Sequence, residues 1–232
     1  AALTRFAKKC GFKGYREFIF KYQQQKDALT LLQPDMNPLT QRVLRSYTNL
    51  REMSRELIDE EQLERVAQMI EQAERVYFFG TGSSGLVARE MKFRFMRLGV
   101  VCEAITDPDG FAWTTSILDK NCLVFGFSLS GTTTSVIDSL LDAQDMGAKT
   151  VLFTSMLSKE TQDFTETVLV ANQGQSPYIQ RLSAQLPMLF VIDLLYAYFL
   201  EIDRESKEKI FNSYWENKKL NGYRRNRKNG KS

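Results

Sequence analysis

From position 75 onward, the apolar residues of this chain arrive in short runs separated by stretches with a helical rhythm. The runs are VYFF at 76–79, VVCEA at 100–104, CLVFGF at 122–127, TVLFTS at 150–155 and TVLVA at 167–171. Between them, Ser84–Leu98, 109–117 and Thr133–Met146 carry apolar residues at spacings of three and four, and a long apolar helix is predicted from about Tyr178 to Leu200. Runs this short and this uniformly apolar are strands buried on both faces. With helices between them they predict an α/β domain, a doubly wound parallel five-stranded sheet flanked by helices. A ligand of such a sheet sits beyond the carboxyl ends of the strands, where the loops after the first and third strands meet.

The amino-terminal part has a different texture. Leu3, Phe6 and Ala7 share one helical face, and Gly11 stands where a left-handed helix stop is expected. A second short helix is predicted from about Tyr15, with Phe18, Ile19 and Tyr22 as its apolar stripe. Pro34 and Pro38 then mark residues 31–38 as a linker. Thr40–Ala73 reads as two polar helices broken near Asp59.

The 232 residues, 43% of them hydrophobic, suffice for one full domain with appendages. No apolar run approaches the roughly 18 residues needed to cross a bilayer, and no signal-peptide pattern opens the chain. A cytoplasmic protein with no membrane partner is expected. Cys10, Cys102 and Cys122 are widely spaced, which predicts buried small apolar residues rather than disulfides or a zinc site. There is no histidine, so the commonest general base and metal ligand are both missing. Neither a metal nor a cofactor is expected. The net charge of +3 is unevenly placed: Lys218, Lys219, Arg224, Arg225, Arg227, Lys228 and Lys231 follow one another with no acid between them. That basic tail, 218–232, is either solvated and disordered or a contact for nucleic acid.

Two loops carry the candidate chemistry. GTGSSG at 80–85 has its glycines at the GxGxxG spacing, and Glu103 follows about twenty residues later, as in a dinucleotide site. Glycines there let the backbone approach any phosphate at a helix N-terminus, so the motif alone also fits other phosphates or a plain turn. The second loop, FSLSGTTTS at 127–135, sets Ser128, Ser130, Thr132, Thr133 and Thr134 before the next helix, facing the same crevice as Ser83 and Ser84. One hydroxyl is explained by N-capping; the rest suit a compact phosphate.

GTGSSG and SLSGTTT together resemble the sugar isomerase (SIS) domain, a flavodoxin-like fold whose second loop follows S-x-S-G-x-T and binds the phosphate of a phosphosugar. The resemblance covers roughly 60–205. It implies that Ser128, Ser130 and Thr133 are phosphate ligands beside Thr132, that Ser84 and Ser83 complete the cradle, and that Gly131 permits close backbone approach. Leu129 departs from the glutamine of some isomerising members. Isomerisation in similar enzymes uses a glutamate near the start of the last long helix, yet 167–192 contains no Asp or Glu, only Gln180 and Gln185 among the matching polar positions. No catalytic residue is therefore assigned. Asp193 is expected to be structural, and Glu90, Glu103 and Asp107 are reserve candidates should the chain be an isomerase or etherase-like enzyme. The start, LTRFAKKCGFKGYREF, resembles the end of the helix-turn-helix domain of RpiR regulators. That resemblance implies a helical remnant of a DNA-binding domain at 1–30, with Arg5, Lys8 and Lys9 on or near the DNA-facing helix, and a SIS domain at 39–217. It further implies a phosphosugar effector, operator DNA as partner of the intact protein, and a homodimer or higher homo-oligomer.

Overall fold

The computed structural model describes residues 2–9, 11–19, 36–158, 163–172 and 185–229. The chain divides into two compact units, Ala1–Glu52 and Met53–Ser232. In the first, α1 (Ala2–Lys9) ends as its sequence demands. Gly11 adopts φ +88°, and the N–H groups of Gly11 and Phe12 bond the carbonyls of Lys8 and Ala7, which closes a Schellman stop. Phe18, on the helical segment at 15–19, meets Phe6 and Phe12 edge-on at 5.5 and 5.4 Å. Tyr22, Cys10 and residues 31–35 of the expected linker lie outside the described residues. α2 (Pro38–Leu57) starts on Pro38, the last position of the expected linker. Proline is preformed for a first helical turn, and Asn37 accepts the N–H of Leu39.

In the second unit α3 (Glu60–Gln72) is capped by Asp59 through the N–H of Gln62, which places the break between the polar helices where the sequence puts it. The sheet follows: β1 (Arg75–Gly80), α4 (Gly82–Met96), β2 (Cys102–Ile105), α5 (Pro108–Thr115), β3 (Cys122–Phe127), α6 (Thr134–Asp145), β4 (Lys149–Thr154), β5 (Glu166–Leu169) and α7 (Leu186–Ile202). All pairings are parallel, in the order β2-β1-β3-β4-β5. This is the doubly wound five-stranded sheet that the apolar runs predict. β2 starts two residues late because Val100 is used to close α4, its N–H bonding the Phe95 carbonyl after Gly99 turns the chain at φ +93°. The predicted start of α7 at Tyr178 lies outside the described residues, and the helix that is described begins at Leu186 with Pro187 in its first turn. The tail is not a disordered strand of charge: α8 (Arg204–Asn229) runs through most of it.

The core is largely phenylalanine. On one face of the sheet Phe78, Phe125, Phe127 and Phe153 pack with Phe95 of α4 and Phe199 of α7; on the other, Phe79, Val124 and Leu152 pack with Phe111 of α5 and Leu140 of α6. Phe125 lies 5.3 Å from Phe78 and 6.1 Å from Phe153, so one aromatic row crosses β1, β3 and β4. On the opposite face Gly126 leaves room for α6: a Cβ there would sit 2.5 Å from Leu140 Cδ1 and 3.0 Å from Val136 Cγ1. Gly126→Ala should overpack this contact and lower stability by about 1–3 kcal/mol in urea unfolding. Combining it with Leu140→Val should recover part of that loss, since the two positions share one space.

Candidate functional site

Gly80 and Phe127, the last residues of β1 and β3, are register partners on adjacent strands. The two loops therefore leave the sheet side by side. After β1 the chain goes to β2 on one side, and it then crosses to β3 on the other. α4 packs on the first aromatic face and α6 on the second, so the loops diverge and open a crevice between two helix starts.

In the first loop the glycines are there for contact as much as for turning. A Cβ on Gly80 would sit 2.7 Å from the Ser84 carbonyl oxygen, and one on Gly85 would sit 2.9 Å from the Gly80 oxygen, while Gly82 takes φ +54°. Only glycine lets strand and helix meet this closely. Thr81 precedes α4 without a side-chain cap, so the first N–H groups face outward with Ser83 exposed and Ser84 half-buried beside them.

The second loop is braced by its own hydroxyls. Ser128 is buried, its Oγ donating to Thr133 Oγ1 at 2.9 Å and accepting the Thr133 N–H at 3.2 Å. Ser130 Oγ and Thr132 Oγ1 lie 2.9 Å apart on the exposed rim, and Gly131 turns between them at φ +68°. Thr133 precedes α6, again without a side-chain cap. Ser130 and Thr132 bond each other rather than capping the helix, so the capping account does not explain them. Two uncapped helix starts at one end of a sheet concentrate partial positive charge where an anion would bind.

Two supports escape the motifs. Ser155, just after β4, binds the Leu129 carbonyl through its N–H at 3.0 Å and its hydroxyl at 2.6 Å, and Asn172 Nδ2 donates to Ser155 Oγ at 2.9 Å. They hold the second loop from behind. The only signal in sequence is a polar residue ending an apolar run beside the loop. Leu129 itself packs against the core.

The reserve carboxylates are all engaged. Arg94 binds Glu90 at 2.7 Å and also Asp193, which is exposed on α7 rather than buried among its apolar neighbours. Burial lowers the Arg94 pKa, but hydrogen bonds to Asp193 and Glu90 outweigh it and leave it raised. Glu103 pairs with Lys92; burial pushes its carboxyl up, and Lys92 with the Ala104 N–H pulls it below its ordinary value overall. Glu103 is moreover the second residue of β2, not its last, so the dinucleotide pattern lacks its acid at the strand end. Asp107 caps α5 by accepting the Gly110 N–H at 2.7 Å. Gln185 stands at the start of α7, and Gln180 lies outside the described residues. No group of three or more His, Cys, Asp or Glu able to hold a metal occurs among the described residues. Cys122 is buried, but Cys102 is only half-buried; burial pushes the Cys102 thiol up to about 11, so it stays protonated. The groove between α3 and α7, lined by Glu61, Glu64, Glu166 and Glu201, lies beside the first residue of β5 at the other end of the sheet and has the wrong charge for phosphate. No helix among the described residues is long and apolar enough to cross a membrane.

Arg5 and Lys8 are exposed on α1. Lys9 ends that helix, and its side chain lies outside the described set.

Comparison with known proteins agrees with this geometry. Residues 69–198 match the SIS domain. An uncharacterised HTH-type transcriptional regulator of Haemophilus influenzae is 29% identical over 228 residues, covering 91% of this chain and 79% of its own. Vibrio vulnificus NanR, solved with ManNAc-6P, superposes with a TM-score of 0.70 at 23% identity, covering 92% of this chain and 78% of that one. The sugar isomerase domain of an RpiR transcription factor from Sphaerobacter thermophilus gives 0.68 at 19% identity, covering 77% and 98%. These structural likenesses establish the fold. Curated relatives of this chain are named HTH-type transcriptional regulators, and, matched over more than half of its length, the chain belongs to the SIS domain family.

Proposed function

We propose that this chain is the effector-binding part of a bacterial transcriptional regulator of sugar metabolism, that its effector is a phosphosugar, and that it does not catalyse a reaction. The observation that carries this reading is the pair of uncapped helix starts, α4 and α6, brought to one crevice with Ser83, Ser84, Ser130, Gly131, Thr132 and Thr133 around it. Ser128 acts from below by fixing Thr133. The crevice offers N–H groups and hydroxyls to a phosphate. Every carboxylate considered as a base is tied to a cation or to a helix N–H, which supports sensing over turnover. The NanR complex, with a phosphorylated amino sugar bound, supports the same ligand class.

In this reading 1–30 is the remnant of a helix-turn-helix domain, 31–38 a linker, 39–217 the SIS domain and 218–232 a basic tail. Arg5, Lys8 and Lys9 meet operator DNA in the intact cytoplasmic protein. The chain forms a homodimer, and a ligand that favours one arrangement of the pair changes the spacing of two DNA-binding domains across a palindromic site.

A thermal-shift screen tests the site with glucose-6-phosphate, fructose-6-phosphate, N-acetylglucosamine-6-phosphate, N-acetylmannosamine-6-phosphate, inorganic phosphate and NAD. A ligand at a hundred times its Kd should add about 2.7 kcal/mol. Ser130→Ala should weaken the responding phosphosugar about ten- to a hundredfold, the loss of one charge-assisted hydrogen bond. A response to NAD alone would overturn the reading, and turnover of any responding sugar would make the chain an enzyme. Affinity should also depend on pH. With no histidine in the chain, the change between about pH 5 and 8 should follow the ligand's second phosphate ionisation near pH 6, tightening as the dianion forms. Calorimetry that finds no change across this range would remove the helix starts as the main source of affinity.

A further inference from the structure

The two halves of α8 differ in packing and in charge. The first is docked. Lys207 is 4% exposed, with its ammonium 2.8 Å from Glu71 and 4.3 Å from the centre of the Phe199 ring. Arg97 lies 4.2 Å over Phe211, and Ile210 fills the space above Gly99. Charges in this half alternate in sign, Arg204, Glu205, Lys207, Glu208 and Lys209.

The second half leaves the body. Residues 212–219 are all exposed, including Tyr214 at 57% and Trp215 at 48%, with Lys218 over both rings at 5.9 and 5.4 Å. From there the sequence is basic without an acid: Lys218, Lys219, Arg224, Arg225, Arg227 and Lys228 fall within the helix. At 100° per residue these six positions distribute around the whole axis, with no apolar stripe between them. A helix that lies in a membrane surface needs such a stripe, and so does one that packs on a protein groove. A cationic rod lacking it is matched by a polyanion. At 1.5 Å per residue, 217–229 extends about 20 Å, and duplex DNA presents one negative charge about every 1.7 Å along its axis.

We propose that the carboxyl-terminal half of α8 is a second nucleic-acid contact, binding the phosphate backbone of duplex DNA without reading its sequence. It goes beyond the effector site and does not depend on it; the choice of DNA as the polyanion rests on the regulator reading. Arg and Lys supply the phosphate contacts, while Lys207 and Phe211 fix the base of the helix to the SIS domain. In the intact protein this contact adds a salt-dependent grip that is the same on every sequence, and its position is tied to the effector domain rather than to the reading head.

The test uses the full chain and a fluorescently labelled duplex of arbitrary sequence, about 30 base pairs long, with anisotropy followed as salt is raised. If five cations engage phosphates, log Kobs falls with log salt at a slope of about −4.5, a several-hundred-fold weakening between about 50 and 200 mM. Replacing Arg224, Arg225, Arg227 and Lys228 together by Gln keeps helix propensity and should abolish binding at the higher salt and flatten the slope by about 3.6. Duplex binding that is absent at the lower salt, or unchanged in the quadruple variant, overturns the proposal. So does binding of vesicles with anionic lipid headgroups, or of single-stranded RNA, that exceeds binding of the duplex. The phosphosugar thermal shift, measured on the same two proteins, should be identical in both. Its absence would count against the effector site alone.

Discussion

An aromatic row on one face of the sheet holds this molecule together and decides where its chemistry lies. Phe78, Phe125 and Phe153 stand on three neighbouring strands, each within stacking range of the next, and Phe95 and Phe199 close over them from α4 and α7, 5.3 Å apart. Rings of this size bury much apolar area and resist slipping, since a shift of one residue would turn each to the other face. With that register set, Gly80 and Phe127 end their strands at the same level. The two phosphate-type loops are neighbours for this reason, although 47 positions separate Gly80 from Phe127 in the chain.

The crevice between them is shaped by close backbone contacts. Gly80, Gly82 and Gly85 draw the start of α4 against the end of β1, and Ser128 ties Thr133 down so that α6 starts where its N–H groups are open. Hydroxyls in the second loop divide into those that build it and those that line it. Ser128 builds, helped from beyond β4 by Ser155; Ser130 and Thr132 stand on the exposed rim. The acids weighed as possible bases are neutralised, Glu90 and Asp193 on one arginine and Glu103 on a lysine.

Along with this site, the chain carries a helix whose two halves have separate tasks. The Lys207–Glu71 pair and the Arg97–Phe211 stack anchor α8 to the domain, and residues 212–219 beyond them are exposed. Lys207 is the buried partner of that pair and Glu71 the exposed one, so losing the carboxylate would leave a buried ammonium without its counterion.

The fold was legible in the apolar runs, since strands buried on both faces admit no polar alternation and TVLFTS or CLVFGF cannot be read otherwise. The glycine and hydroxyl motifs named the loops, because close backbone approach and anion binding each demand particular residue types. What the sequence could not show was which side chains those loops consume. Ser128 and Ser130 look equivalent in SLSG, yet one is buried under Thr133 and the other is exposed, a difference made by strand β4 and its Phe153 carbonyl holding Ser128 in place. Nor could local pattern place Asp193 on Arg94, ninety-nine residues away, or keep Glu103 from the strand end, because both follow from how α4 crosses the sheet. Residue type along the chain determined the elements and named the loops; the register of the sheet, fixed only when the rings pack, decided which of their residues are buried and which are exposed.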